Sequence, residues 1–243
     1  MKHFLFPLAA LCATMAAHAA NPTDTVVAKA RTALGGESAL NAVKCLRFEL
    51  SATDANGKPA GAIISEYKAP MKLREIDYTA AGFESVNAID GREGHRTLRR
   101  LDTGERRLEI MTAGEVDARR DFACANLYLL AVPAPARGEV TLGAPTKIDG
   151  VECSELAYKY KSGVTLHRFI DNASGRLVAT RIDFGTKRGD LMINKGEQKV
   201  AGISYPKEII LRDDAGKTVR TLTINKIEVN GDLDDSAFQT PLF

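Results

Sequence analysis

The residues able to do chemistry are few and poorly placed for it. The 243-residue sequence holds four histidines, two of them (His3 and His18) close to the N-terminus. His167 lies in a strand-like run between Leu166 and Arg168, with Asp171 four residues on. Four residues along a strand keeps the same face but spans roughly 13 Å, too far for a direct hydrogen bond. His167 therefore reads as a sheet histidine, on the surface or partly satisfied. His95 follows Gly91-Arg92-Glu93-Gly94, a polar turn that opens a strand. G-x-S-x-G, H-E-x-x-H, G-x-G-x-x-G and P-loop motifs are all absent. Asp234-Asp235 lacks the further oxygen ligands that calcium requires and reads as the start of a terminal loop. The expectation is no catalytic residue, no metal site and no cofactor.

Charge and composition narrow the partners. Net charge is +2, Trp is absent and aromatic content is 6%. Nucleic acid needs a strong basic stripe, which this balance does not provide, and few aromatics leave little for stacking on sugars or bases. Arg96, Arg99, Arg100, Arg106, Arg107, Arg119 and Arg120 cluster in sequence, but Glu93, Asp102, Glu105, Glu109, Glu115, Asp117 and Asp121 interleave with them. That mixture reads as a solvated face, and it becomes a docking face only if folding separates the signs.

The N-terminus reads as an export signal. Lys2 and His3 precede an apolar run, Phe4 to Met15, that is short of the about 20 residues a membrane span needs. Ala17-His18-Ala19 is an A-x-A site, so residues 1–19 are expected to be removed before Ala20. Leu11 before Cys12 argues against a lipid-attachment site. No linker is visible in residues 20–243, which are expected to form one domain. Cys45, Cys124 and Cys153 then remain, an odd number in an oxidising compartment. A Cys124–Cys153 bond would close a loop of roughly thirty residues, worth about 3–4 kcal/mol. The other reading is three buried, small apolar side chains, as free cysteines commonly are. Their spacing matches no zinc pattern.

The elements that must position these residues are mostly strands. A helix is expected from Pro22-Thr23-Asp24 to Leu34, with Val26, Val27, Ala30, Ala33 and Leu34 on one face and Gly35-Gly36 at its exit. A shorter turn, Glu37 to Ala42, follows. The period then changes to two, with Leu46, Phe48 and Leu50 on one face of Cys45 to Ser51. Strands are expected at 60–68, 71–79, 83–90 and 95–101, and again at 139–148, 151–160, 164–171, 176–184, 200–205, 208–212 and 218–230. Asn56-Gly57, Asp149-Gly150 and Ser162-Gly163 are among the turns between them. Val116, Arg120, Ala123, Leu127 and Leu130 lie at helical spacing within 115–130, before Pro133 and Pro135. About ten or eleven antiparallel strands cannot stay flat and open; they curl or split. The helices at 24–34 and 115–130 are the available covers for a concave face.

The order of these pieces resembles the periplasmic lipoprotein-carrier superfamily of LolA, LolB and related lipoprotein-sorting proteins. The resemblance runs through Val43-Lys44-Cys45-Leu46-Arg47-Phe48-Glu49, Glu66-Tyr67-Lys68-Ala69-Pro70-Met71-Lys72-Leu73-Arg74, Asn87-Ala88-Ile89-Asp90-Gly91, Ile148-Asp149-Gly150-Val151 and Phe169-Ile170-Asp171. It closes with Val229-Asn230-Gly231-Asp232-Leu233-Asp234-Asp235-Ser236-Ala237-Phe238 and Pro241. Two departures stand out. Ala69 occupies the place before Pro70 where the lipoprotein chaperone carries an arginine, and His95 stands where an aromatic residue is frequent.

The resemblance implies a mainly β fold, an incomplete antiparallel β-barrel of about 10–11 strands with helices covering its concave face. It implies a periplasmic carrier of lipids or lipoproteins that sequesters acyl chains without catalysis, acts as a monomer, and exchanges cargo with inner- or outer-membrane partner proteins. By pattern alone Leu46, Phe48, Leu50, Val164, Leu166, Ile170, Leu222 and Ile224 are ordinary core; the resemblance makes them the expected cavity lining. Three acyl chains of roughly sixteen carbons would gain nearly 40 kcal/mol on burial, above the roughly 20 kcal/mol ceiling of real affinities, so cargo would pass between hosts and not into water. The alternative on the same scaffold is a regulatory or interaction module of the envelope-stress-sensor kind.

Overall fold

The computed structural model describes residues 21–241; the expected signal and its cleavage site before Ala20 lie outside them. The chain opens with helix α1 (Pro22–Leu34) and the short α2 (Glu37–Asn41). Asn21, not a residue of the Pro22-Thr23-Asp24 run, caps α1 by accepting a hydrogen bond from the Thr23 amide at 3.1 Å. Gly35 ends it at φ +147°, and a Cβ there would stand 2.5 Å from the Gly202 carbonyl oxygen, so only glycine lets this exit pack so closely.

Six strands follow: β1 (Cys45–Asp54), β2 (Pro59–Lys68), β3 (Lys72–Thr79), β4 (Phe83–Asp90), β5 (Glu93–Arg100) and β6 (Arg106–Ile110). Helix α3 (Ala113–Leu127) then crosses over, started by a capping box between Thr112 and Glu115. The second run comprises β7 (Gly138–Leu142), β8 (Thr146–Ile148), β9 (Val151–Tyr160), β10 (Val164–Asp171), β11 (Leu177–Phe184) and β12 (Leu191–Lys195). A hairpin, β13 (Gln198–Val200) with β14 (Ile203–Tyr205), precedes β15 (Glu208–Arg212) and β16 (Thr218–Val229), and a 3-10 turn, Asp235–Phe238, is the last regular element among the described residues.

Fourteen strands form one antiparallel sheet in the order β6-β5-β4-β3-β2-β1-β16-β15-β12-β11-β10-β9-β7, with β8 beside β9. The last strand, β16, returns to pair with β1 and joins the two runs. The outer strands β6 and β7 do not meet, so the sheet is an incomplete barrel, as expected. It has more strands than expected, for local reasons. Gly143-Ala144-Pro145 divides 139–148 into two strands, because proline cannot donate to the ladder. Ala201 (φ +50°) and Gly202 (φ +80°) form a turn inside the expected strand at 200–205. The β6 segment carries three charges in five residues, and β12 opens on three consecutive apolar residues without alternation, so neither stands out.

Tyr67, Leu73, Ile89, Leu156, Tyr158, Val164, Leu166 and Ile170 face the hollow of the sheet. Val27, Ala30 and Leu34 of α1 and Val116, Ala123 and Leu127 of α3 fill it from above. Helix α3 packs on β2 to β5 and β10, while α1 packs on β7, β9 and β14. The opposite face near β1 to β4 is closed by the terminal turn, where Phe238 is 1% exposed and packs with Cys45 and Leu233.

Candidate functional site

The sheet parts at one seam. Strands β11 and β12 pair over only Ala179↔Ile193, Thr180↔Met192 and Arg181↔Leu191. On the other side of β11, Ala179 pairs with Phe169 and Leu177 with Ile170, which leaves Val178 as an extra, bulged residue. Toward the start of β11, the side-chain amide of Asn194 donates to the Leu177 carbonyl at 3.0 Å, where a longer ladder would place a backbone bond. Past Lys195 the chain leaves the sheet for the β13–β14 hairpin, which tucks against α1.

A cleft of about 430 Å³ lies at this seam. Ala33 and Leu34 of α1 and Leu129, just past α3, form its helical side; Val151, Leu177, Val178 and Ile193 form its sheet side. Its volume falls at the lower end of the about 300–1,000 Å³ typical of small-ligand sites, and its mostly apolar wall suits an apolar body. Polar groups stand at particular places. Asp149, in the turn between β8 and β9, accepts from Lys195 at 2.8 Å and Arg212 at 2.6 Å, clasping that turn to β12 and β15. Those two cations hold its carboxyl below the usual aspartate range. Tyr205 is 5% exposed, and its hydroxyl has no hydrogen-bond partner among the described residues. Burial pushes that phenol up to about 12. A buried hydroxyl without a partner at a cleft wall is costly unless a ligand atom meets it.

Beneath α3 lies a second unusual group. Arg168, on β10, is buried and donates to Thr180 Oγ1 at 3.2 Å, to the Ala125 carbonyl at 3.4 Å and to Asn126 Oδ1 at 3.5 Å. Tyr67, Tyr158 and Tyr160 are its titratable neighbours, all with phenols raised by burial. Tyr158 itself donates to the Leu130 carbonyl at 3.1 Å, holding the exit of α3. That exit comes earlier than the expected end at 130: Tyr128 caps the helix, and Leu130 takes φ +58°.

The expected cavity-lining residues do not gather at the cleft. Leu46, Val164, Leu166 and Ile170 are buried in the helix-covered core. Leu50, Leu222 and Ile224 form a second cluster with Ala52, and half-buried Phe48 touches both. None of the eight lines the seam. The residues that do line it come from six separate stretches of chain, and no periodicity marks them.

The remaining candidates resolve into structure. All three cysteines are free, so the Cys124–Cys153 bond is not formed. Cys124 rides on α3 over one face of the sheet, while Cys153 packs with Phe169, Ala179 and Ile193 on the other. His167 meets Glu155 at 2.5 Å and Asp183 at 3.1 Å, cross-strand neighbours in place of Asp171. His95 is buried, with Thr240 Oγ1 at 3.5 Å from Nδ1. Asp234 accepts from the Ser236 amide at the head of the 3-10 turn, and Asp235 pairs with Lys68 at 2.8 Å and Lys72 at 3.3 Å. Within the arginine-rich stretch, Arg99 pairs with Glu84, Arg100 with Asp102, and Arg96 with Glu109 and Glu115. No group of His, Cys, Asp and Glu among the described residues could hold a metal ion, and no described helix is long and apolar enough to cross a membrane.

No family model matches the chain, and no curated protein matches it in sequence. Solved structures do. A DUF1329 family protein from Desulfovibrio piger superposes with a TM-score of 0.55 at 9% identity, covering 90% of this chain and 98% of its own. A domain given the name of an outer membrane lipoprotein-sorting protein, from Vibrio parahaemolyticus, gives 0.54 at 10% identity over 89% and 97%. A LolA superfamily protein from Nitrosomonas europaea gives 0.55 at 11% identity over 90% and 97%. With its open antiparallel sheet and helical cover, the chain has a LolA-like fold.

Proposed function

We propose that this protein is a periplasmic carrier that shields one long-chain lipid or lipid-like amphiphile from water, without catalysis. The observation that carries the reading is the apolar cleft where β11 and β12 part, bordered by α1 and by Leu129 just past α3. The LolA-like fold supports it, since one neighbour is named for sorting outer membrane lipoproteins. Residues 20–243 would then act as one domain, exchanging cargo with membranes or with partner proteins in them.

Burial is worth about 0.8 kcal/mol per methylene, so a chain of roughly sixteen carbons offers about 13 kcal/mol gross. Association and ordering cost about 4–15 kcal/mol, which leaves a reversible affinity. A bilayer offers the chain comparable burial, so transfer between the two is close to balanced. A cargo with more chains would need α3 to lift. Leu46, Phe48, Val164, Leu166 and Ile170, with Leu50, Leu222 and Ile224 beyond them, would then become the cavity wall.

The test is uptake of a fluorescent long-chain amphiphile, read by titration and by native mass spectrometry. One equivalent should bind, and Val178→Trp, which fills the seam, should weaken binding about tenfold or more while leaving the melting temperature close to that of the parent. Absence of any saturable uptake or adduct would refute the reading.

A further inference from the structure

A buried guanidinium is ordinarily matched by a carboxylate, because an unpaired charge in an apolar interior is costly. Arg31 follows that rule: it is 6% exposed and bonded to Glu37. Arg168 is 5% exposed and makes no ion pair among the described residues. Its three acceptors are neutral, and the two on α3 stand at 3.4 and 3.5 Å, the outer limit of hydrogen bonding. Burial pulls its pKa down, as expected for a cation stripped of water without a counter-charge.

Its place relative to the cleft is equally particular. Ile170, on the same face of β10 as Arg168, lies two residues along, about 7 Å by the rise of a strand. Ile170 pairs with Leu177, which lines the cleft. Over Arg168 stand Ala125 and Asn126; Leu129, a few residues on, borders the cleft. The last turn of α3 and its exit therefore run from the guanidinium to the edge of the cleft, and a head group reaches Arg168 only as the Ala125 and Asn126 contacts give way.

We infer that Arg168 receives the acidic head group, a carboxylate or a phosphate, of an amphiphile whose tail lies in the seam cleft. This rests on the amphiphile-binding reading above and specifies its ligand class. The planar fork of arginine matches both anions bidentately, and the two long bonds to α3 would give way to two charge-assisted ones. Such a site prefers fatty acids or lysophosphatidic acid to neutral esters, and discriminates against amphiphiles that lack an anion near the chain.

The experiment compares a fluorescent long-chain fatty acid, its methyl ester and lysophosphatidic acid on the full protein, with acetate and inorganic phosphate as tailless controls. The acids should bind about tenfold or more tighter than the ester, and the controls should not bind at comparable concentration. Arg168→Met should bind acid and ester alike, and Arg168→Lys should recover only part of the difference, since it keeps the charge and loses the fork. If the parent binds ester as tightly as acid, or if Arg168→Met retains the preference, the inference is overturned while amphiphile binding stands. Tight binding of the free anions would also overturn it, as a simple anion site. If no amphiphile binds, the underlying reading fails instead.

Discussion

Around β1 the strands pair along nearly their whole length: β1 with β2 from Cys45↔Lys68 to Thr53↔Pro59, and β2 with β3 from Gly61↔Thr79 to Lys68↔Lys72. Between β11 and β12 the ladder has three pairs and then ends. The first region is also closed on its outer face. Glu66, 2% exposed, is held there by Arg74 at 2.8 Å and Arg47 at 3.1 Å, and Lys68 and Lys72 bind Asp235 of the terminal turn. The second region is joined by side chains: Asn194 reaches the Leu177 carbonyl, and Asp149 bridges Lys195 and Arg212. A sheet held by continuous backbone ladders leaves a guest no gap between its strands. Room appears where pairing is replaced by a few replaceable side-chain bonds, and that is where a binding function belongs in this fold.

The contrast makes its largest prediction for stability. Leu73 is fully buried in the long-ladder region, and Leu73→Ala should cost about 2–5 kcal/mol through the cavity it leaves. Val178, half-buried at the seam, should cost about 1 kcal/mol or less as Val178→Ala. Urea unfolding of both variants checks the pair; equal losses would break the distinction between a sealed and an open region. Next comes Glu66→Ala, which leaves two arginines facing each other across β1, β2 and β3, and should cost on the order of 2 kcal/mol. The same measurement on Asp149→Asn, whose cations are partly exposed, should show about 1 kcal/mol or less.

Much of the fold was legible because it depends on local period. The alternation of Leu46, Phe48 and Leu50 and the turns at Asn56-Gly57 and Asp149-Gly150 specify strands and reversals without reference to distant residues. Helix α1 was equally plain from its apolar face and its glycine exit. The seam was not legible. Leu177 and Val178 look like any strand residues, and only the mismatch between Ile170↔Leu177 and Phe169↔Ala179 turns Val178 into a bulge. Nor could sequence place Arg168 among neutral acceptors, because Ala125 and Asn126 lie over forty residues away along the chain. His167 shows the same limit: its partners Glu155 and Asp183 are neighbours across strands, invisible until the pairing is known.

Smaller effects sharpen the comparison. Arg168→Met exchanges a buried unpaired cation for an apolar side chain of similar length. Its stability should be unchanged or raised by about 1–4 kcal/mol in thermal unfolding, opposite in sign to Leu73→Ala. A loss comparable to a core truncation would show the guanidinium to be structural.

Acid separates the two regions more gently. Burial depresses the His95 pKa below its ordinary 6.5, so the folded state takes up that proton less readily than the unfolded chain. Stability is full above that value and declines as pH falls below it, toward the folded pKa. Asp149 is depressed below 3.8 by its cations, so the seam clasp weakens only as pH falls below that lower value. Between 6.5 and 3.8 the His95 contribution should fade and vanish in His95→Phe, while the Asp149 contribution persists. Unfolding midpoints across this range, parent against variant, provide the check.

The central claim, that a guest is held where β11 and β12 part, is tested most directly by amide hydrogen exchange with and without a saturating long-chain fatty acid. Protection should rise at Leu177 and Val178, at Asn194 to Glu197 and around Leu129, with β1 to β3 unchanged. Protection confined to β1 to β3, or uptake of the acid with no change along the seam, would contradict it.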